Sequence, residues 1–121
     1  MILLDTNILI QILKGDKITT DKVESLPESI AISSISAMEL YYGAFNKKEV
    51  RKIEKFISLF EIIHLSREIS TKSIKLIQTY AKSHNLDIPD SLIASTAIVN
   101  RCKLLTYNVR DFKYIDGIEL S

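Results

Sequence analysis

The sequence predicts an α/β protein of three layers, α/β/α, with a mostly parallel central sheet. Three observations lead there. Short apolar runs (MILL, SIAIS, EIIHL, KLLTY) alternate with longer stretches of helical character along the 121 residues. The short runs are continuously apolar rather than alternating, the pattern of strands covered on both faces. Three Gly and two Pro leave no linker to divide the chain, so residues 1–121 read as a single domain.

Met1 to Leu4 reads as a buried strand, with a helix from about Asn7 to Lys14 stopped near Gly15. Lys22 to Leu26 suggests a short helix before Pro27. A strand is expected at Ile30 to Ser33, then a helix running through AMELYYGAF. From Lys48 to Phe60, Val50, Ile53, Ile57 and Phe60 recur at helical spacing. EIIHL gives the next strand. Arg67 to Ser83 is a long helix with Ile69, Leu76, Ile77, Tyr80 and Ala81 on its apolar side. DSLIASTAIVN carries small and apolar residues with almost no charge, as a central buried helix does. KLLTY and GIEL complete the strands.

Composition narrows the function classes. Hydrophobic residues make up 46% and charged residues 26%, ordinary for a globular protein, and no stretch nears the roughly 20 apolar residues of a membrane span. The first segment lacks the basic start of a signal peptide, and Asp5 interrupts its apolar run. A lone Cys102 excludes an internal disulfide and suits a reducing cytoplasm; its setting in NRCKLL reads as a buried structural thiol. His64 and His84 share no zinc-ligand spacing. A net charge of +1 makes any nucleic-acid footprint local.

Four acids stand out because open α/β sheets bind ligands beyond the carboxyl ends of their strands. Asp5 ends the first strand, Glu39 lies in the helix after the second, Asp90 begins the buried helix, and Asp111 follows KLLT. Each also has a local explanation. Asp5 or Asn7 is a good helix N-cap, and Glu39 stands three residues after Ser36, the spacing of a capping box. If that helix starts earlier, at Ser33 or Ser34, Glu39 instead shares a face with Ile35, Met38 and Tyr42 and needs a partner. Asp90 follows Pro89 at a helix start, and Asp111 could end an Asn-capped turn. Together, four carboxylates at one sheet edge would repel and raise one another's pKa values. A divalent cation such as Mg²⁺ reverses that penalty and prepares a phosphodiester for attack by water.

The stretches LLDTNILI, SSISAMELYYGA, IPDSLIASTAI and LLTYNVRDF come in the order found in PIN-domain nucleases and span nearly the whole chain. The sequence resembles that family, and more narrowly the VapC-type toxins of toxin–antitoxin pairs. The resemblance implies a Mg²⁺ or Mn²⁺ site formed by Asp5, Glu39, Asp90 and Asp111, with Thr6, Asn7, Thr106 and Asn108 supporting it or meeting the substrate phosphate. It also implies cleavage of RNA, a homodimer, and inhibition by a cognate antitoxin that inserts a segment into the groove. Asp87 has no assigned role, and the fourth acid could be a residue other than Asp111.

Two other classes stay open at this stage: an inactive PIN fold that binds RNA or a protein, and a receiver-like signalling domain. Against the receiver, the first strand ends in one Asp rather than an adjacent pair, and EIIHLS offers no phosphoacceptor. In KKEVRKIEK, Lys47, Arg51 and Lys55 follow i, i+4 spacing and Lys48 and Lys52 repeat it beside them. That strip is either a solvated helix face or a flank that holds the RNA backbone. The aromatic LYYGAF either fills the core or centres a dimer interface.

Overall fold

The computed structural model describes residues 1–121. Strands β1 (Ile2–Leu4), β2 (Ile30–Ser33), β3 (Glu61–Ile63) and β4 (Lys103–Leu105) form one sheet in the order β3-β2-β1-β4, parallel throughout. The helices are α1 (Thr6–Leu13), α2 (Lys17–Glu24), α3 (Ser34–Tyr42), α4 (Lys47–Ile57), α5 (Arg67–His84) and α6 (Ile88–Val99).

The continuous apolar strands are explained by two cores, one on each face of the sheet. Side chains alternate along a strand, so neighbours in β1 serve different cores. Ile2 and Leu4 pack with Ile8 and Leu9 of α1, Leu40 of α3, and Ile53 and Ile57 of α4. Leu3 packs the other way, with Leu76 of α5 and Ile93, Ala94 and Ala97 of α6. The small residues of α6 let it lie close to the sheet, and Cys102 is buried beside it.

Several boundaries differ from the expectation. GIEL is not a strand: Ile118 N bonds back to Ile115 O (3.2 Å) after a turn with Gly117 at φ 87. Only Leu120 bridges Leu104, which leaves too little extended chain for a ladder. Helix α2 starts at Lys17 rather than Lys22, and its polar sequence buries only Thr19 and Val23. Helix α4 stops at Ile57; Phe60 lies beyond it, edge-on to Phe56 at 5.1 Å, and Val50 is 37% exposed rather than in the core. Helix α3 ends at Tyr42, and Tyr42 and Phe45 are 94% and 92% exposed, so they do not fill the core. No helix is long and apolar enough to cross a membrane.

Candidate active site at the carboxyl end of the sheet

Strand β1 sits between β2 and β4, so successive connections leave it in opposite directions across the sheet. Such a switch point opens a crevice beyond the strand ends. Asp5 follows β1 there, Thr106 follows β4, and Asp5 N donates to Leu105 O across the gap (2.9 Å).

Asp5 is 4% exposed and accepts three hydrogen bonds: from Thr6 N (2.8 Å), Thr106 Oγ1 (2.8 Å) and Asn7 Nδ2 (3.2 Å). The bond from Thr6 N makes it the N-cap of α1, so cap and site coincide in one residue. Asn7 fastens the two strand ends together, donating to Thr106 Oγ1 (3.2 Å) and accepting from Tyr107 N (3.2 Å). Thr106 Oγ1 in turn accepts from Asn108 N (2.9 Å). Burial still pushes the Asp5 carboxyl above its ordinary value, against these bonds and with the charge of Asp111 adding to the shift.

Glu39 is not part of a capping box. Helix α3 starts at Ser34 with Ser33 as its N-cap, which places Glu39 well inside the helix. Its partner is Thr6, whose Oγ1 donates to Glu39 Oε1 (2.7 Å) and lies 2.8 Å from Ser36 Oγ. Ser36 is buried and belongs to this network; the sequence offered it only as a cap.

Asp90 does not begin α6. Asp87 is the N-cap, accepting from Asp90 N (2.8 Å), which assigns the fifth acid a structural role and sets Asp90 in the first turn. Asp90 is shared by two small cavities. One, of about 230 Å³, is lined by Asp5, Thr6, Asn7, Ile10, Glu39, Asp90 and Asn108. The other, of about 130 Å³, holds Asp87, Asp90 and Asp111 beside His84 and Tyr114. The expected quartet is therefore divided, with Asp90 as the hinge and Asp111 in the second cavity. Asp111 is exposed, in a 3-10 turn at Val109–Asp111 that has no side-chain cap. As the side chains stand, no three His, Cys, Asp or Glu residues converge as a metal cage.

Burial and then the charges of Asp87, Asp5, Asp111 and Glu39 push the Asp90 carboxyl up to about 7. None of these acids is in an ion pair, although His84 lines the second cavity with Asp87, Asp90 and Asp111. The chain's one ion pair, Lys103 to Glu28 (3.7 Å), involves the first residue of β4, at the other end of the sheet.

On α4, Lys47, Lys48, Arg51, Lys52 and Lys55 are all exposed, as a solvent-facing strip requires. Lys52 also lines a groove of about 530 Å³ between α1, α3 and α4, together with Ile10, Leu13, Leu40 and Glu39. Sequence reasoning missed the brace behind the β4 loop. Thr19 Oγ1, fully buried, donates to Asp16 Oδ2 (2.6 Å) and meets Tyr107 Oη at 2.5 Å. A polar helix with two inward residues gives little signal of such a contact.

Comparison with known proteins settles the family. The PIN-domain profile matches residues 2–118. The chain belongs to the PIN-domain family. That membership removes the receiver-like alternative. Among curated PIN-type relatives, Ribonuclease VapC10 of Mycobacterium tuberculosis is 30% identical, with 98% of this chain and 91% of that protein covered. Ribonuclease VapC2 of Rickettsia felis is 35% identical, covering 98% of this chain and 95% of its own length. Among solved structures, VapBC2 from Rickettsia felis bound to a DNA fragment from its promoter superposes with a TM-score of 0.85 at 35% identity. It covers all (100%) of this chain and 98% of the matched one.

Proposed function

We propose that this PIN-domain protein is a Mg²⁺-dependent endoribonuclease and the toxin of a toxin–antitoxin pair. The observation that carries the metal reading is Asp90: a carboxyl pushed up to about 7 by burial and then by four other acids, none of which is held in an ion pair. Family membership and the names of the relatives support the RNA substrate and the antitoxin partner.

The donor set fits a small hard cation. Asp5, Glu39, Asp90 and Asp111 offer only carboxylate oxygens, which Mg²⁺ or Mn²⁺ accepts, and the cavity is polar. When bound, the cation supplies electrophilic polarisation of the phosphodiester. The residues supply order. Thr106, Asn7 and Thr6 N hold Asp5 in one orientation, and Thr6 Oγ1 holds Glu39. Asp5 and Asp90 would bind the cation, while Glu39 and Asp111 would complete the shell or orient the attacking water. Asp111 closes the far side, and Asn108 lines the near cavity where a phosphate oxygen would lie. Lys47, Lys48, Arg51, Lys52 and Lys55 offer the RNA backbone its positive charge.

The groove between α1, α3 and α4 would receive the antitoxin segment, since its wall joins apolar side chains such as Ile10, Leu13 and Leu40 to Glu39. Exposed Tyr42 and Phe45 would centre a homodimer contact. The direct test incubates the purified chain with single-stranded RNA, adds Mg²⁺, and then chelates it. Cleavage that begins with the metal and stops on chelation is expected. Cleavage indifferent to both steps would overturn the metal site.

A further inference from the structure

The second cavity contains more than acids. The turn from α5 to α6 builds it: His84 ends α5, Asn85 takes the left-handed conformation (φ 57), and Leu86 is buried beneath. The exposed His84 ring lies flat on Tyr114, with centroids 4.0 Å apart and planes 12° from parallel. Tyr80 meets both rings edge-on, at 5.7 Å from His84 and 5.2 Å from Tyr114. Three contacts hold the stack in place. Ser83 Oγ lies 2.7 Å from His84 Nδ1, Tyr80 Oη accepts from Asp116 N (3.0 Å), and Tyr80 and Tyr114 pack onto the α5–α6 core. His84 and Tyr114 line the same cavity as Asp90 and Asp111.

We infer that the His84–Tyr114 stack is a binding platform for an unpaired nucleobase next to the bond being cut. The inference rests on the proposed nuclease reading and names the substrate feature that the second cavity takes. Asp90 belongs to both cavities, so a strand with its phosphate beside Asp5 and Glu39 has its neighbouring nucleotide at the stack. The acids there repel a phosphate but not a neutral base, and an aromatic face accepts any base that is free of a duplex. His84 packs on Tyr114 with one face and is exposed, so its ring is within reach of a ligand. The substrate class is therefore single-stranded RNA, or a loop, with a stacked flanking base.

The test uses the intact chain and short single-stranded RNAs cut with Mg²⁺. Each carries either a normal or an abasic nucleotide at one of the two positions flanking the cleaved bond. For one of those positions, removing the base should raise KM about tenfold with kcat little changed. His84→Ala should raise KM by a similar factor on normal RNA and lose the distinction between normal and abasic RNA. His84→Phe should restore both, which separates stacking from proton transfer. His84 is exposed, so all three proteins should unfold cooperatively, with the His84→Ala midpoint lowered by the lost stack. A 2-aminopurine base at the same position reads the contact without cleavage: quenched on binding to the wild type and to His84→Phe, unquenched with His84→Ala. Cleavage with equal quenching in all three proteins, or with no abasic effect, would overturn the platform. Quenching without any cleavage would instead strike the nuclease reading and leave the platform standing.

Discussion

The two ends of the acid rim are built differently. Around Asp5 and Glu39, each carboxylate is held by neighbouring donors, and those donors are held in turn. Around Asp111, the carboxylate is exposed on a 3-10 turn with no such support. The braced end has the reach and rigidity of a fixed ligand set, whereas the loose end can adjust its position. A preorganised acid is needed where the ion enters, and a mobile one suffices where the shell is completed.

Substitutions at the two ends should therefore separate most strongly. Asp5→Asn or Asp90→Asn should lower Mg²⁺-dependent RNA cleavage at least about a hundredfold, because several kcal/mol of metal-borne stabilisation is lost. Asp111→Asn should cost less than about tenfold, as an exposed charge acts through high dielectric. Single-turnover cleavage at saturating Mg²⁺ measures all three; equal losses would erase the distinction between the ends.

The brace itself is the next target. Thr106→Val keeps the shape but removes a donor to Asp5 and the acceptor of Asn108 N. Roughly ten- to a hundredfold weaker metal binding is expected by calorimetry, with about 1–2 kcal/mol of stability lost in urea unfolding.

The pH dependence of the metal-free protein probes the hinge between the ends. The Asp90 carboxyl is raised from 3.8 to about 7, so the folded state holds that proton more tightly than the unfolded chain does. Its contribution is fully present below the unfolded value and is lost as pH climbs from about 4 through about 7. Asp90→Asn should therefore stabilise the metal-free protein above pH 7, by about 1 kcal/mol, and make little difference near pH 4. Thermal melts in chelator at the two pH values compare them. A variant less stable than the wild type at pH 8 would contradict the burial and repulsion ascribed to Asp90.

The smallest effect is expected on the exposed strip of α4. Arg51→Glu with Lys55→Glu should weaken RNA binding and flatten its salt dependence by about 0.7 in log–log slope per lost phosphate contact, leaving metal affinity intact. An unchanged slope would make the α4 strip ordinary surface.

Which parts of this were legible in the sequence follows from where the signal resides. The bounds expected for strand β2 match because its apolar run Ile30–Ile32 is followed by Ser33, which caps the next helix. The four acids and Thr106 could be singled out because the motif order is carried by the residues themselves; the structure brings Asp5, Glu39 and Asp90 to one cavity and bonds Thr106 to Asp5. Asp87 as the cap was not, since IPD places Pro89 and Asp90 where a helix start is equally good, and only the backbone decides between them. GIEL failed because a bridge to an edge strand needs the same residues as a full ladder. The division of the acids into two cavities lies in side-chain direction, which residue order does not specify. The His84–Tyr114 stack joins residues from two distant segments, and neither segment alone marks it.

Helix α2 turns inward only Thr19 and Val23, and Thr19 carries the bond to Tyr107, between Thr106 and Asn108. In hydrogen-exchange terms, this couples the Tyr107 side chain to the opening of α2. An excursion that frees α2 removes the contact to the Tyr107 hydroxyl, while the Tyr107 and Asn108 amides keep their bonds to Asn7 Oδ1 and Thr106 Oγ1. The loop beside the acid rim is thus steadied from behind by a helix that contributes no carboxylate to the rim.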